Sequence, residues 1–167
     1  NVHSAVFSPN GKYIVTASWD NTARVYNVMI GKHATGLLQY YGNVNSAVFS
    51  SDGKYIVTAS RDKTARVWDA MTGELVTEPL QHDSSVNSAI FSPGGKYIVT
   101  AAGDIFESGT ACIWDAITGE LVTEPLQHNG NVHSAVFSPN GKYIVTASRD
   151  STARVWDAMT GEPVTEP

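Results

Sequence analysis

The sequence predicts an all-β fold of the β-propeller type, and two observations support this prediction. The segment NVHSAVFSPNGKYIVTAS at 1–18 recurs letter for letter at 131–148, and close variants occupy 43–60 and 85–102. Each copy is followed by a second block of the form ARVWDAMTGE. Repeats of about 40–45 residues that each hold four short strands are typical of propeller blades rather than of helical solenoids.

The second repeat shows how four strands fit into one unit. Its sequence predicts strands at 44–49, 54–60, 65–68 and 75–80, separated by turns rich in Asp and Gly, which tolerate a positive φ. The strand YIVTAS nearly lacks polar alternation, which is typical of a strand that is covered on both faces. No segment of the chain shows a sustained apolar period of 3.6 residues, so little or no helix is expected.

The starts of the four copies divide the chain into blades without linkers. The whole chain, 1–167, is therefore predicted to be a single array with blades at about 1–42, 43–84, 85–130 and 131–167. The third blade is longer than the second because four extra residues stand between Ala102 and Trp114.

Composition excludes several classes of function. The chain has a formal net charge of −5, and its 11 Lys and Arg residues are spread along the repeats instead of forming the basic stripe that nucleic-acid binding requires. No apolar run approaches the roughly 20 residues that span a bilayer, so no membrane partner is expected. The single cysteine, Cys112, suits a reducing compartment and favours a cytoplasmic location. The chain begins at Asn1 rather than Met, so a preceding segment stays open.

Trp-Asp dipeptides end the third predicted strand of three repeats, at 68–69, 114–115 and 156–157. Together with the segments SPNGKYIVTAS and SRDKTARVW, they resemble the WD-repeat (WD40) family. The resemblance implies a propeller whose ring usually closes with seven or eight blades. Because four such blades leave two apolar sheet faces uncovered, two readings stay open. Either two chains self-associate to close an eight-bladed ring, or these residues belong to a longer propeller.

The resemblance also implies a hydrogen-bonded set in each blade, made of a His, a hydroxyl from the second strand, the Asp of the next turn and the Trp. In the second blade Tyr40 stands at the His position, and in the third Ala102 stands at the hydroxyl position. Because the set recurs once per blade, a structural role is favoured over a catalytic triad, and no enzyme is expected. On the matching positions the set comprises His128, Ser148, Asp150 and Trp156; Ser60, Asp62 and Trp68; and His82, Asp104 and Trp114.

Departures from the repeat frame predict a partner-binding face. In this architecture the loops before the first strand and after the second lie on one side of the blades, and exposed aromatic or arginine side chains there are typical anchors for a protein or peptide. Tyr40 has the alternative role of replacing the structural His, and the side chains at 105 and 106 have the alternative of packing against a neighbouring blade. The candidate binding residues are Trp19, Tyr40, Tyr41, Arg61, Ile105, Phe106 and Arg149.

Motifs for cofactors and metals are missing from the sequence. It contains no P-loop, no glycine-rich dinucleotide turn, no HExxH and no CxxC. One position of the innermost strand is polar in every repeat and predicts a collar near the channel mouth, formed by His3, Asn45, Asn87 and His133. This collar has no local ligand spacing, so neither a metal nor a cofactor is expected. The sequence therefore predicts a protein-interaction scaffold. The alternative is a recently amplified or engineered propeller unit with a structural or assembly role and no selected ligand.

Overall fold

The computed structural model describes residues 1–105 and 107–164 as four antiparallel sheets, without a helix in these ranges. The first sheet contains β1 (Val2–Phe7), β2 (Tyr13–Ser18), β3 (Thr22–Asn27) and β4 (Leu38–Gln39). The second contains β5 (Val44–Phe49), β6 (Tyr55–Ser60), β7 (Thr64–Asp69) and β8 (Leu80–Gln81). The third contains β9 (Val86–Phe91), β10 (Tyr97–Ala102), β11 (Gly109–Asp115) and β12 (Leu126–His128). The fourth contains β13 (Val132–Phe137), β14 (Tyr143–Ser148) and β15 (Ala153–Asp157).

Within each sheet the strands follow one another in chain order. The first strands of neighbouring sheets contact one another, which places β1, β5, β9 and β13 on the inside of the arc. The short fourth strands form the outer rim. Among the described residues, no helix is long and apolar enough to cross a membrane.

The fourth strand is shorter than the predicted 75–80. In the second sheet only Leu80 and Gln81 form a continuous pairing with β7, while Leu75 makes an isolated bridge to Trp68. Pro79 stands between these two pairings, and proline has no amide hydrogen to donate to a strand ladder. The chain bends between the bridge and the short strand, and it does the same in the first sheet, where no proline stands between them.

Apolar residues from successive sheets interlock in three separate cores. Between the first and second sheets, Val15 and Val25 from one side pack with Val44, Ile56 and Trp68 from the other. The strand YIVTAS is buried almost throughout in β6 because its two faces contribute to two different cores. The same residue positions form the other two cores, so each junction repeats the same packing.

The two end sheets each have one uncovered apolar face. Val2 in β1 is 66 % exposed, whereas its equivalent in β5, Val44, is fully buried. Val145 in β14 is 41 % exposed, whereas Val57 in β6 is fully buried. These exposures arise because no further sheet covers either end of the arc.

Candidate binding face and the polar networks behind it

The fourth blade contains a complete hydrogen-bonded set. His128 ends β12, the outer strand of the third sheet, and its Nε2 lies 2.7 Å from Thr146 Oγ1 in β14. Its Nδ1 lies 3.1 Å from Asp150 Oδ2. Trp156 Nε1 donates to the same Thr146 hydroxyl at 2.8 Å. The set therefore ties one sheet to the next.

Hydrogen bonds to Asp150 control its charge. Burial alone would raise the pKa of Asp150, but hydrogen bonds from Thr152, His128 and the Asn129 amide hold that pKa far below its usual range. Burial also lowers the pKa of His128, despite its hydrogen bond to the carboxylate. A neutral imidazole beside an ionised aspartate follows, which lets Nδ1 donate to Asp150 and Nε2 accept from Thr146.

The hydroxyl of this set is Thr146, so the assignment of Ser148 to it was wrong. Ser148 Oγ donates to the Gly130 carbonyl at 2.9 Å and accepts from the Asp150 amide at 3.2 Å. It therefore fixes the turn instead of contacting the tryptophan. Ser60 is likewise not the hydroxyl of the second blade, because it makes the equivalent bonds to the turn of that blade.

Tyr40 takes the place of the histidine in the second blade. Its side chain is 4 % exposed, its hydroxyl accepts from Trp68 Nε1 at 2.7 Å and it contacts the hydroxyl of Thr58. Burial raises the pKa of Tyr40 well above its usual value. The prediction of Tyr40 as an exposed anchor was therefore wrong, and the alternative role is the correct one.

Asp62 in the second blade holds an arginine instead of a histidine. Its carboxylate accepts from Arg66 Nη2 at 3.0 Å and from Thr64 Oγ1 at 2.6 Å. Arg66 Nη1 also donates to the Gln39 carbonyl in β4 of the preceding sheet, at 2.9 Å. Its guanidinium carbon lies 4.5 Å from the centre of the Tyr40 ring. Arg66 therefore joins the outer rims of two blades.

The third blade lacks most of this set. Trp114 Nε1 donates to Thr100 Oγ1 at 2.9 Å, so Ala102 does not mark a missing hydroxyl. Among the described residues, however, His82 Nε2 is buried without a hydrogen-bond partner, and no hydrogen bond joins His82 to Asp104. Burial lowers the pKa of His82 to about 4. The predicted pairing of His82 with Asp104 was wrong because the inserted residues move the aspartate away from the turn.

A repeated backbone bond brings the candidate binding residues to one edge of the sheets. The amide after each second strand donates to the carbonyl before the first strand of the same blade. The pairs are Trp19 to Asn1 at 2.9 Å, Arg61 to Asn43 at 2.9 Å, Gly103 to Ser85 at 3.0 Å and Arg149 to Asn131 at 2.8 Å. We call this edge the loop face.

Three of the candidate residues line one cavity on the loop face. The cavity has a volume of about 290 Å³, and Arg61, Ile105 and Arg149 contribute to it from three different blades. Ile105 is 60 % exposed, and Arg149 Nε lies 3.3 Å from His133 Nε2. Sequence reasoning had placed the third-blade Asp in the structural set, but Asp104 lines this cavity.

The remaining candidates lie elsewhere. Trp19 is 45 % exposed and stacks on His3, with ring centres 5.4 Å apart, beside a second hollow in the first blade. Tyr41 is 95 % exposed, and its amide donates to Asp62 Oδ2 at 3.2 Å. Phe106 lies outside the described residues. Neither Trp19 nor Tyr41 lines the loop-face cavity that contains Arg61 and Arg149.

The expected polar collar is partly a set of bridges between blades. Asn45 Nδ2 donates to the Val86 carbonyl at 2.8 Å, and Asn87 Nδ2 donates to the Val132 carbonyl at 2.8 Å. Each amide thus connects the inner strands of successive sheets, which sequence reasoning missed. In the ranges described, no group of three or more His, Cys, Asp and Glu side chains is arranged to hold a metal ion.

The chain is a β-propeller protein, because its four antiparallel sheets interlock through apolar cores with their first strands on the inside of the arc. The Trp–Thr–His–Asp set of the fourth blade agrees with this assignment. The family model described as "WD domain, G-beta repeat" matches residues 1–27, 35–69, 73–115 and 119–157. The chain belongs to the WD40 family, which confirms the resemblance and the predicted fold class.

The comparison with solved structures gives the same fold. The chain is similar to the crystal structure of the computationally designed Ika8 protein, with a TM-score of 0.86 and 25 % sequence identity. The similarity covers 99 % of this chain and 48 % of that chain, so this chain spans about half the length of the designed protein. No curated protein matches the sequence.

Proposed function

We propose that this chain is a non-catalytic interaction scaffold whose loop face binds a peptide segment of a partner protein. Repeats of this family generally mediate protein interactions, and propellers of the family are typically non-catalytic scaffolds. The cavity lined by Arg61, Ile105 and Arg149 is the observation that supports the proposal most directly. Three of the residues that the sequence offers as binding candidates come together there, from three different blades.

The chemistry of this cavity favours an acidic peptide. Arg61 and Arg149 lie on different blades, yet both line the same cavity, in a chain with a net charge of −5. Guanidinium groups bind carboxylates through paired hydrogen bonds. The exposed side chain of Ile105 adds an apolar contact, and Asp104 offers an acceptor for a peptide amide. A carboxylate next to an apolar residue fits these groups.

The test is a selection of random displayed peptides on the full chain. We expect Asp- and Glu-containing peptides to be enriched and to lose at least about tenfold in affinity for the Arg61→Ala/Arg149→Ala double variant, because each lost charge-assisted contact is worth about 1.5–3 kcal/mol. Lys54→Ala is the matched control, since it removes an exposed positive charge elsewhere. Selected peptides that bind the double variant as tightly as the parent would contradict the proposal.

A second candidate is a structural unit without a selected ligand. The letter-for-letter repeat between 1–18 and 131–148 and the similarity to a designed protein favour it. Failure of the selection to enrich any acidic peptide would support this candidate instead.

We further propose that two copies of the chain close a ring. The face of β1 around Val2 is equivalent to the face around Val44, and the face of β14 around Val145 is equivalent to the face around Val57. Faces of these two kinds already pack together at the three internal junctions. A head-to-tail pair would repeat that junction twice and leave no free apolar face. The designed protein is about twice as long as this chain, which agrees with the pairing.

Sedimentation or light scattering of the chain tests the pairing. We expect twice the 17.9 kDa mass of one chain, and we expect Val2→Asp to shift the population to single chains. Met71→Asp is the control, because Met71 is 63 % exposed and lies away from both end faces. A stable, monodisperse 17.9 kDa species of the unmodified chain would contradict the pairing and favour a closed four-bladed ring. In a longer polypeptide, further repeats would cover the same faces.

A further inference from the structure

An arginine fills the gap between the outer rims of successive blades at two places. In the second blade, Arg66 donates to the Gln39 carbonyl at 2.9 Å, to Thr64 Oγ1 at 3.2 Å and to Asp62 Oδ2 at 3.0 Å. Arg154 occupies the same position in the fourth blade, where it donates to the equivalent carbonyl at 3.1 Å. The gap is therefore a site with a carbonyl, a hydroxyl and a carboxylate arranged around a guanidinium group.

Cys112 stands at the arginine position of the third blade. The strand register fixes this equivalence, because Cys112 pairs with Thr100 as Arg66 pairs with Thr58. A cavity of about 280 Å³ lies beside Cys112, and Gln81 and Thr110 line it at the positions of the carbonyl and the hydroxyl. The blade thus keeps two groups that bind the guanidinium in other blades, while the guanidinium itself is missing.

The cavity also has a carboxylate and an aromatic ring. The insertion has moved Asp104 to the loop face, but Asp83 lines this cavity and is close enough for its charge to act on both His82 and Cys112. His82 stands where Tyr40 packs against Arg66 in the preceding blade, and its buried Nε2 has no hydrogen-bond partner among the described residues. Burial raises the pKa of the Cys112 thiol to about 11, so the thiol adds no charge at neutral pH.

We propose that this rim cavity between the second and third blades binds the guanidinium group of an arginine side chain from a peptide of a partner protein. A planar guanidinium carries several N–H donors, which suit a cavity lined by Gln81, Thr110 and the Asp83 carboxylate, whereas a lysine ammonium places all of its donors on one nitrogen. The cavity lies on the outer rim rather than on the loop face, so this site is separate from the peptide site proposed above.

The test is a titration of the ¹⁵N-labelled full chain, followed by NMR, with the peptide acetyl-Gly-Arg-Gly-amide. We expect saturable shifts of the Asp83, Thr110 and Cys112 amides, and binding at least about tenfold weaker for the matched peptide with Lys in place of Arg. A third titration uses guanidinium chloride at low millimolar concentration in place of a peptide. Shifts with this ion but not with the Arg peptide would overturn the peptide source of the guanidinium.

Variants of two cavity residues sharpen the test. Cys112→Arg supplies the guanidinium from the chain itself and should abolish the response, whereas Cys112→Ser keeps the cavity and should retain it. Asp83→Asn removes the carboxylate and should weaken binding at least about threefold. An unchanged response in Cys112→Arg, or equal binding of the Lys and Arg peptides, would overturn the proposal. The Arg61→Ala/Arg149→Ala variant should respond normally, which separates this site from the loop-face site.

Discussion

The third and fourth blades share one backbone frame but differ in the polar groups behind it. Ile98 pairs with Trp114 in the third sheet as Ile144 pairs with Trp156 in the fourth, so the strand register is the same. In the fourth blade a continuous set of hydrogen bonds runs from the tryptophan to Asp150. In the third blade this set stops at the threonine, and within ranges 1–105 and 107–164 His82 Nε2 has no hydrogen-bond partner.

This difference shows which interactions define a blade and which are optional. Strand pairing and the apolar cores between sheets are intact around the third blade, although four residues are inserted and an arginine is replaced by Cys112. The network is thus not required to form the sheet. Cys112 lines a cavity on the rim, and the inserted loop contributes Asp104 and Ile105 to the cavity on the loop face, so the third blade takes part in both candidate sites.

The largest expected effect is a loss of unfolding free energy at acid pH, caused by His82 of the third-blade set. Burial lowers the pKa of His82 from 6.5 to about 4, with the charge of Asp83 opposing the shift in part. Between these values the unfolded chain binds a proton that the folded chain does not, so the free energy of unfolding falls as the pH is lowered from about 6.5 to about 4. For this one group the loss amounts to about 3 kcal/mol.

Denaturant unfolding at pH 7 and pH 4.5 measures this effect. The variant His82→Phe keeps an aromatic ring but cannot titrate, so its stability should depend less steeply on pH than that of the parent. His128 is unchanged in both proteins and serves as the internal reference. Identical pH dependences would mean that His82 gains a proton in the folded chain as readily as in the unfolded chain.

The second prediction compares the aspartates of the two blades. Asp150→Ala removes the acceptor of His128, Thr152 and the Asn129 amide, and buried groups left unpaired cost about 1–3 kcal/mol of unfolding free energy. Asp104→Ala removes a side chain that belongs to no such set in the described part of the chain and should change that free energy by no more than about 0.5 kcal/mol. Thermal or denaturant unfolding measures both. Equal losses in the two variants would contradict the contrast between the blades.

Strand positions and sheet packing could be predicted from the sequence because they depend on patterns that every repeat contains. The strand predicted at 44–49 has the same bounds as β5, and YIVTAS in β6 is buried on both faces as expected. The fourth strand was predicted too long because its apolar residues continue past Pro79, where the pairing is interrupted.

The networks were harder to predict because the sequence does not show which of two similar groups faces a partner. Thr146 and Ser148 are two residues apart on one strand, so both point to the same side, and only the structure shows which hydroxyl meets Trp156. Tyr40 was ambiguous because a tyrosine both accepts and donates, as the expected histidine does. The rim cavity had a signal that was not used, since Cys112 interrupts a column of arginines at Arg24, Arg66 and Arg154.

The smallest expected effect is a difference between two equivalent threonine substitutions. Thr146→Val leaves both Trp156 Nε1 and His128 Nε2 without their shared hydroxyl. Thr100→Val leaves only Trp114 Nε1, because His82 Nε2 has no partner among the residues that the structure describes. The two side chains have the same shape and burial, so packing terms should cancel between them. We therefore expect Thr146→Val to cost about 1 kcal/mol more of unfolding free energy than Thr100→Val, the typical net contribution of one hydrogen bond.

Denaturant unfolding of the two variants at pH 7, where both histidines are neutral, measures the difference. Equal losses would mean that His82 has a partner in solution, such as a bound water molecule, and the two blades would then differ less than their hydrogen bonds suggest.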